Sequence, residues 1–258
     1  MLPNNDLSFQ LWTSRNFPPL EEQLRTLKSI GYTDVQPYHD QYNDPQAFKA
    51  TLDEIGLTAK TGHFDINMIR SDFDRTVAAA KALGMKLVVA PFLKPDQRPT
   101  DRAGWETFGA ELAGYAARYA EAGLDFAWHN HDFEFAALPD GSLPIEHVLG
   151  QTLLWEPDVA WIVRGGESPV AWLKRYAGRI PAVHVKDTVR AGENPEESDW
   201  ADLGTGIVNW REAWDASIAA GSQLMIIEHD NPRDYVRVAK AGYNSAIALA
   251  NHANGSGQ

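Results

Sequence analysis

Short apolar, β-rich runs alternate with longer stretches of helical periodicity from one end of the chain to the other. The runs predict strands over 7–13, 33–38, 57–64, 86–92, 125–131, 153–158, 182–187 and 223–228. Between and after them the 3.6-residue pattern predicts helices over 20–29, 45–55, 71–83, 102–122, 145–149, 169–176, 210–220 and 233–250. Glycines 31, 56, 84, 123, 178 and 221 follow these helices, where a left-handed residue stops a helix most easily. Eight strand–helix units in about 250 residues predict a single (β/α)8 TIM barrel of class α/β spanning 1–250, with a small polar tail over 251–258. A doubly wound sheet is the rival, but it wants a glycine-rich phosphate turn after an early strand. The nearest glycine cluster, Gly204 and Gly206, lies late and reads as a loop or a weak anion nest.

Composition narrows the chemistry. The chain has 258 residues, a net charge of −12 and no cysteine. Without thiols there is no disulfide framework, thiolate metal site or cysteine nucleophile, so any metal is held by nitrogen and oxygen. The acidic balance argues against a nucleic-acid partner, whose phosphates need a surplus of Lys and Arg. The first residues lack the basic and apolar regions of a signal peptide, and no apolar run is long enough to span a membrane, so a cytoplasmic protein is the expectation.

A TIM barrel carries its chemistry at the C-terminal ends of its strands. Six of the eight histidines fall there: His39, His63, His129, His131, His184 and His229. The same rim holds Asp65, Asp132, Glu134, Asp158, Asp187, Glu228 and Asp230. Asp158, Asp187 and Glu228 end apolar strands, where a carboxylate needs an ion pair, hydrogen bonds or a metal to offset its desolvation. Carboxylates mixed with neutral imidazoles suit one divalent ion, with Mn2+ foremost and Mg2+, Co2+ or Zn2+ as alternatives. Such an ion stabilises an enediolate formed next to a carbonyl. Cations at the rim are few, Lys94, Arg164, Lys186 and Arg190, enough for a sugar hydroxyl, a carboxylate or one phosphate. Tryptophans on helices, Trp105, Trp172, Trp210 and Trp214, read as core, whereas those near strand ends suit either a filled barrel mouth or a sugar-stacking wall.

Several segments in this order resemble the xylose isomerase-like barrels of the sugar phosphate isomerase/epimerase group. They are residues 9–15, 31–36, 128–135 (Trp-His-Asn-His-Asp-Phe-Glu-Phe), 158–166, 183–187 (Val-His-Val-Lys-Asp), 202–210 and 227–232. The resemblance implies one divalent ion, often Mn2+, held by Glu, Asp, His and Glu from separate strand ends. Asp158, His184 and Glu228 match the last three ligands, and Glu134 takes the first place, with His129 or His131 as alternatives. It further implies His129, His131 or Glu228 as the base, Lys186 as the group orienting a substrate oxygen, and His63, Trp12, Tyr38, Trp161, Asp187 and Arg190 as substrate contacts. The expected activity is that of a metal-dependent isomerase or epimerase acting on a small carbohydrate; barrels of this size often pair, so a homo-oligomer is compatible with this reading. Two departures, the missing glutamate at the end of strand five and Trp161 in place of a histidine, resemble the inosose dehydratase and 3-keto-glycoside lyase branch, making a carbon–oxygen lyase the alternative. A non-catalytic sugar-binding barrel is the third reading, and the intact Asp158, His184 and Glu228 argue against it.

Overall fold

Residues that alternate along each strand divide the chain into two apolar cores, and that division fixes the architecture. The computed structural model describes residues 7–255. Its strands are β1 (Leu7–Gln10), β2 (Asp34–Gln36), β3 (Thr61–His63), β4 (Leu87–Ala90), β5 (Asp125–His129), β6 (Leu154–Glu156), β7 (Ala182–Val185), a hairpin of β8 (Asp187–Thr188) and β9 (Trp200–Ala201), and β10 (Leu224–Ile227). Two parallel four-stranded runs, β2-β1-β10-β7 and β3-β4-β5-β6, are joined by parallel bridges at Asp34–Thr58 and Asp158–His184. The eight strands therefore close into a barrel, with β8–β9 as an antiparallel excursion above it.

Period two in the strands sends Val88, Phe126, Trp128, Trp155, Val183, Val185, Met225 and Ile227 outward against the helices, within the larger core. Inward, Leu87, Val89, Ala127, Ala182, Leu224 and Ile226, with Leu154 against them, form a separate plug that fills the lower barrel. One step further along the strands the inward positions turn polar: Gln10, Gln36, His63, His129, Glu156 and His184, all buried. The plug keeps water from reaching this layer from below, so the polar groups interact at low dielectric.

The helices are α1 (Leu20–Ile30), α2 (Pro45–Ile55), α3 (Ile66–Ser71), α4 (Phe73–Leu83), α5 (Arg102–Glu121), α6 (Pro144–Leu149), α7 (Val159–Arg164), α8 (Pro169–Arg175), α9 (Trp210–Ala219) and α10 (Tyr235–Gly255). Four differences from the sequence pattern have local causes. Strand one stops at Gln10 because its side chain accepts a hydrogen bond from Trp12 N (3.0 Å) and starts a 3-10 turn. The helix expected over 71–83 begins at Phe73 as α4, since Asp72 ends a separate preceding helix, α3, and caps α4 by accepting from Arg75 N. Asp158 caps α7, a turn of helix that the apolar periodicity does not announce. The last helix continues through Gly255, past the position where the polar composition places the start of a tail. No described helix is long and apolar enough to cross a membrane.

Candidate active site at the barrel mouth

Four strands end on a pair of polar residues two apart: His129 and His131, Glu156 and Asp158, His184 and Lys186, Glu228 and Asp230. The two-residue period turns both members of a pair toward the barrel axis; the first three pairs stack in two layers, whereas Glu228 and Asp230 both reach the upper one. His63 on β3 joins the lower layer, with its ring stacked on that of His184 (centroids 5.0 Å apart, 6° between planes).

Hydrogen bonds specify the lower layer. Gln36 Nε2 donates to Thr61 Oγ1 (2.8 Å) and to Glu156 Oε2 (2.8 Å), which leaves Gln36 Oε1 as an acceptor. That oxygen takes hydrogen bonds from Gln10 Nε2 (2.6 Å) and His184 Nε2 (2.7 Å), so His184 carries a proton on Nε2. Gln10 Nε2 also faces His63 Nδ1 (3.2 Å), making Nδ1 the acceptor and Nε2 the donor to Glu156 Oε1 (2.7 Å). Glu156 Oε1 thus lies against three imidazoles, with His184 Nε2 at 3.1 Å and His129 Nδ1 at 3.5 Å. Burial alone would raise the Glu156 carboxyl, but His184, His129 and His63 hold it well below the usual carboxylate range.

The upper layer is built around a buried cation. Lys186 Nζ lies 2.9 Å from Asp158 Oδ2, 2.7 Å from Glu228 Oε2 and 3.0 Å from Asp230 Oδ2, with 1% of its side chain exposed. Burial would lower its pKa, yet Asp158, Asp230 and Glu228 raise it, so it remains an ammonium. His184 Nδ1 sits 2.8 Å from the same Glu228 oxygen, and Glu156 and Glu228 outweigh burial to raise that imidazole to about 10. Burial pushes Asp230 up to about 6 against the pull of Lys186.

One ligand atom each from His129, Asp158, His184 and Glu228 lies within 4.8 Å of the others, all four residues being buried. Two carboxylates and two imidazoles without sulfur fit a divalent ion of the Mn2+ or Zn2+ kind. Asp158 Oδ2 at this place has no aligned hydrogen-bond partner, although it is ion-paired with Lys186. Buried polar atoms are rarely left so, and the donor set fits an ion that would bind beside this oxygen. A second grouping, His63, His129, Glu156 and His184, overlaps it in the lower layer.

Above the ligands opens a cavity of about 620 Å3, walled by Trp12, Tyr38, Phe92, Phe133, Trp161 and Trp200 and floored by His63, His129, His131, Lys186 and Glu228. His131 packs between Phe92 and Trp161 (centroids 4.9 and 5.0 Å), and its Nδ1 has no partner. Burial, His129 and Lys186 push its pKa well below 6.5, so the ring is a neutral base facing the cavity.

Four sequence expectations lie elsewhere. Glu134 does not reach the ligand group: the 3-10 turn Asp132–Phe135 folds it behind β5, where it accepts from Trp128 Nε1 (2.8 Å) and His131 N (2.8 Å). Burial there raises its carboxyl to about 8. Asp187 is no cavity residue either, because it accepts from the backbone N–H groups of Thr188, Gly204, Gly206 and Val208. The Gly204–Gly206 loop is therefore an anion nest whose anion is Asp187. A Cβ on Gly206 would lie 2.2 Å from Asp187 Oδ1, which only glycine avoids. Arg190 points to solvent, 75% exposed beside Glu193. His229 is buried away from the cavity, with Nδ1 accepting from Asn231 N.

Three site residues escape the sequence reading. Glu156 was visible as the partner of Asp158 two residues on, the same spacing as His129 and His131. Arg98, stacked 3.5 Å over the Phe133 ring, comes from a loop, and Trp200, under Arg164 at 3.3 Å, from the short β8–β9 hairpin, neither of which has a regular sequence pattern.

Comparison with known proteins agrees with this architecture. The family described as xylose isomerase-like TIM barrel matches residues 24–249. The rhizopine catabolism protein MocC of Rhizobium meliloti is 28% identical over 200 residues, covering 68% of this chain and 62% of MocC, so the chain matches less than two thirds of that protein. An inosose dehydratase of Lacticaseibacillus casei is 24% identical over 277 residues, covering 89% and 92% of the two chains. Among solved structures, a sugar phosphate isomerase/epimerase from Parabacteroides distasonis superposes with a TM-score of 0.80 at 19% identity, covering 96% of this chain and 94% of the other. The IolI protein with a bound zinc atom superposes at 0.74 with 17% identity, covering 96% and 97%.

Proposed function

The chain belongs to the xylose isomerase-like TIM-barrel family, and from that premise we propose that it is a divalent-metal-dependent enzyme of small carbohydrates that removes a proton next to a carbonyl. The observation that carries the reading is the buried His129, Asp158, His184 and Glu228 donor set at the floor of an aromatic-walled cavity. Bound there, the ion supplies Lewis acidity that stabilises negative charge on the substrate oxygens. Aromatic walls favour the apolar faces of a sugar, and the polar floor addresses its oxygens. His131 serves as the base, since its imidazole is neutral and lines the cavity, with no partner for Nδ1. Lys186, held charged by three carboxylates, serves as a donor to a substrate oxygen and not as a base.

Returning the proton to the neighbouring carbon or to the other face gives isomerisation or epimerisation. His131 and Glu228, arriving from different strands at one cavity, supply the two acid–base groups this needs. Elimination is the second reading, favoured by the withdrawal of Glu134 behind β5: the turn after β5 brings Asp132, not a glutamate, to the cavity that Glu228 lines. Incubating the Mn2+-loaded protein with free ketoses and with keto-glycosides or keto-inositols in D2O decides between them. Solvent deuterium in a sugar of unchanged composition supports isomerisation, whereas released water or aglycone supports the lyase, and absence of both with every substrate overturns the enzymatic reading.

A depressed His131 pKa sets a pH dependence. The base is required deprotonated, so kcat/KM is expected to hold as pH falls through 6.5 and to decline only below it. His131→Asn is expected to lower kcat about 10²–10⁴-fold with metal content unchanged. An acid limb at an ordinary histidine value, or an active His131→Asn protein, removes His131 from this role.

A further inference from the structure

We propose that Glu156 is the positioning residue of the metal centre: its single carboxylate holds the inward nitrogens of His184 and His129, so that the opposite nitrogens face the ion. The proposal rests on the metal-dependent reading above and deepens it. Each of the two histidines lies between the layers with one ring nitrogen toward each. His184 turns Nε2 to Glu156 Oε1 (3.1 Å) and Nδ1 to Glu228 Oε2 (2.8 Å). His129 turns Nδ1 to Glu156 Oε1 (3.5 Å) and Nε2 to Asp158 Oδ2 (4.0 Å). A carboxylate only accepts, so a hydrogen bond to Glu156 keeps the proton on the inward nitrogen, and the outward nitrogen, which in His184 faces Glu228 Oε2, is the one whose proton an ion would displace. Gln36 reinforces the choice, since its amide donates to Glu156 Oε2 and its oxygen accepts from His184 Nε2. Glu156 is fully buried on β6, paired in register with His129 on β5, and two residues further along the chain comes Asp158. One short stretch of chain thus provides a ligand and the group that orients the ligands on both sides of it.

The lower grouping of His63, His129, Glu156 and His184 also has the composition of a cation site. The hydrogen bonds oppose that use: Gln10 donates to His63 Nδ1, which keeps the ring proton on Nε2 where it faces Glu156, and Gln36 accepts the proton of His184 Nε2.

The test is Glu156→Gln, with Glu156→Asp as a charge-conserving control, each checked for native circular dichroism. Outer-sphere partners of metal-bound histidines typically change affinity about 10–100-fold, and Glu156→Gln is expected to weaken Zn2+ binding within that range in a chelator competition. Long-range 1H–15N spectra of the Zn2+ form are expected to show His184 as the Nε2–H tautomer in the native protein and a mixture in Glu156→Gln. Unchanged affinity and tautomer in a folded Glu156→Gln protein overturn the proposal. Two zinc ions per native chain falling to one in Glu156→Gln overturn it in favour of a lower ion site. Should the native chain bind no metal, the functional reading fails on its own. The positioning role is then decided in the metal-free protein: hydrogen-bonded Nε2 protons of His63 and His184 that persist in the native chain and vanish in Glu156→Gln support it, and their absence from the native chain overturns it.

Discussion

Glu228→Ala is expected to abolish metal retention and turnover together. The Glu228 Oε2 atom is shared by His184 Nδ1 and Lys186 Nζ, so this substitution removes a ligand and also strips two buried cations of a common partner. Changes to groups outside the ligand sphere already cost about 10–100-fold in affinity, so loss of a ligand is expected to exceed ~100-fold. Lys186 keeps Asp158 and Asp230 and His184 keeps Glu156, so the cost is that of removing one partner from buried ion pairs, up to about 3–5 kcal/mol. At roughly 2–4 °C per kcal/mol for a chain of this size, the melting temperature of the metal-free protein falls by up to about 6–20 °C. Glu228→Gln keeps the shape and separates the effects: stability is partly restored while metal retention is not. Elemental analysis after Mn2+ loading and dialysis, with thermal melts of both variants, checks this. Full metal occupancy in folded Glu228→Ala overturns the ligand assignment.

The barrel was legible in the sequence because its two periods are simple: the chain alternates strands with helices, and glycines mark where helices stop. The site was legible to the extent that it lies on strands. His129, Asp158, His184 and Glu228 lie at or near strand ends, and a strand end fixes the direction of its side chain. Residues beyond a strand end obey local hydrogen bonding instead. Glu134 sits five residues past His129, and a 3-10 turn with Trp128 Nε1 and His131 N as donors carries it behind the sheet. Asp187 is captured by backbone amides of a loop about twenty residues ahead, a long-range closure that no spacing rule announces. Trp128 and Trp155 show the same parity from the apolar side, since both face outward and are fully buried, while Trp12 and Trp161, in turns just beyond strands, reach the cavity. Glu156 escaped because its neighbour Asp158 matched a ligand pattern, although Glu156 ends β6 only two residues before it.

Lys186→Met is expected to bind metal more tightly while losing activity. In the metal-free protein the Lys186 ammonium lies against Asp158 and Glu228, two of the proposed ligands. A divalent ion and the ammonium therefore compete for the same oxygens. At an effective dielectric of 20, two unit charges 4 Å apart interact by about 4 kcal/mol, so removing the cation is expected to tighten Mn2+ binding at least ~10-fold. Turnover is expected to fall about 10²–10³-fold, the usual loss for a donor aimed at developing oxyanion charge. Without metal the variant leaves Asp158, Glu228 and Asp230 together, a cost of about 3–5 kcal/mol that Mn2+ then offsets. The pH dependence gives an independent check. Asp230, raised by burial to about 6 in the native protein, binds its proton more tightly folded than unfolded. Its contribution to stability is present below the ordinary Asp range and is lost as pH rises through about 6. With Lys186 gone that loss moves to higher pH and deepens, so the metal-free variant melts progressively lower from pH 5 to 8, more steeply than the native chain. Weaker Mn2+ binding by Lys186→Met would instead make the lysine an organiser of the ligands, and its competition with the ion would be refuted.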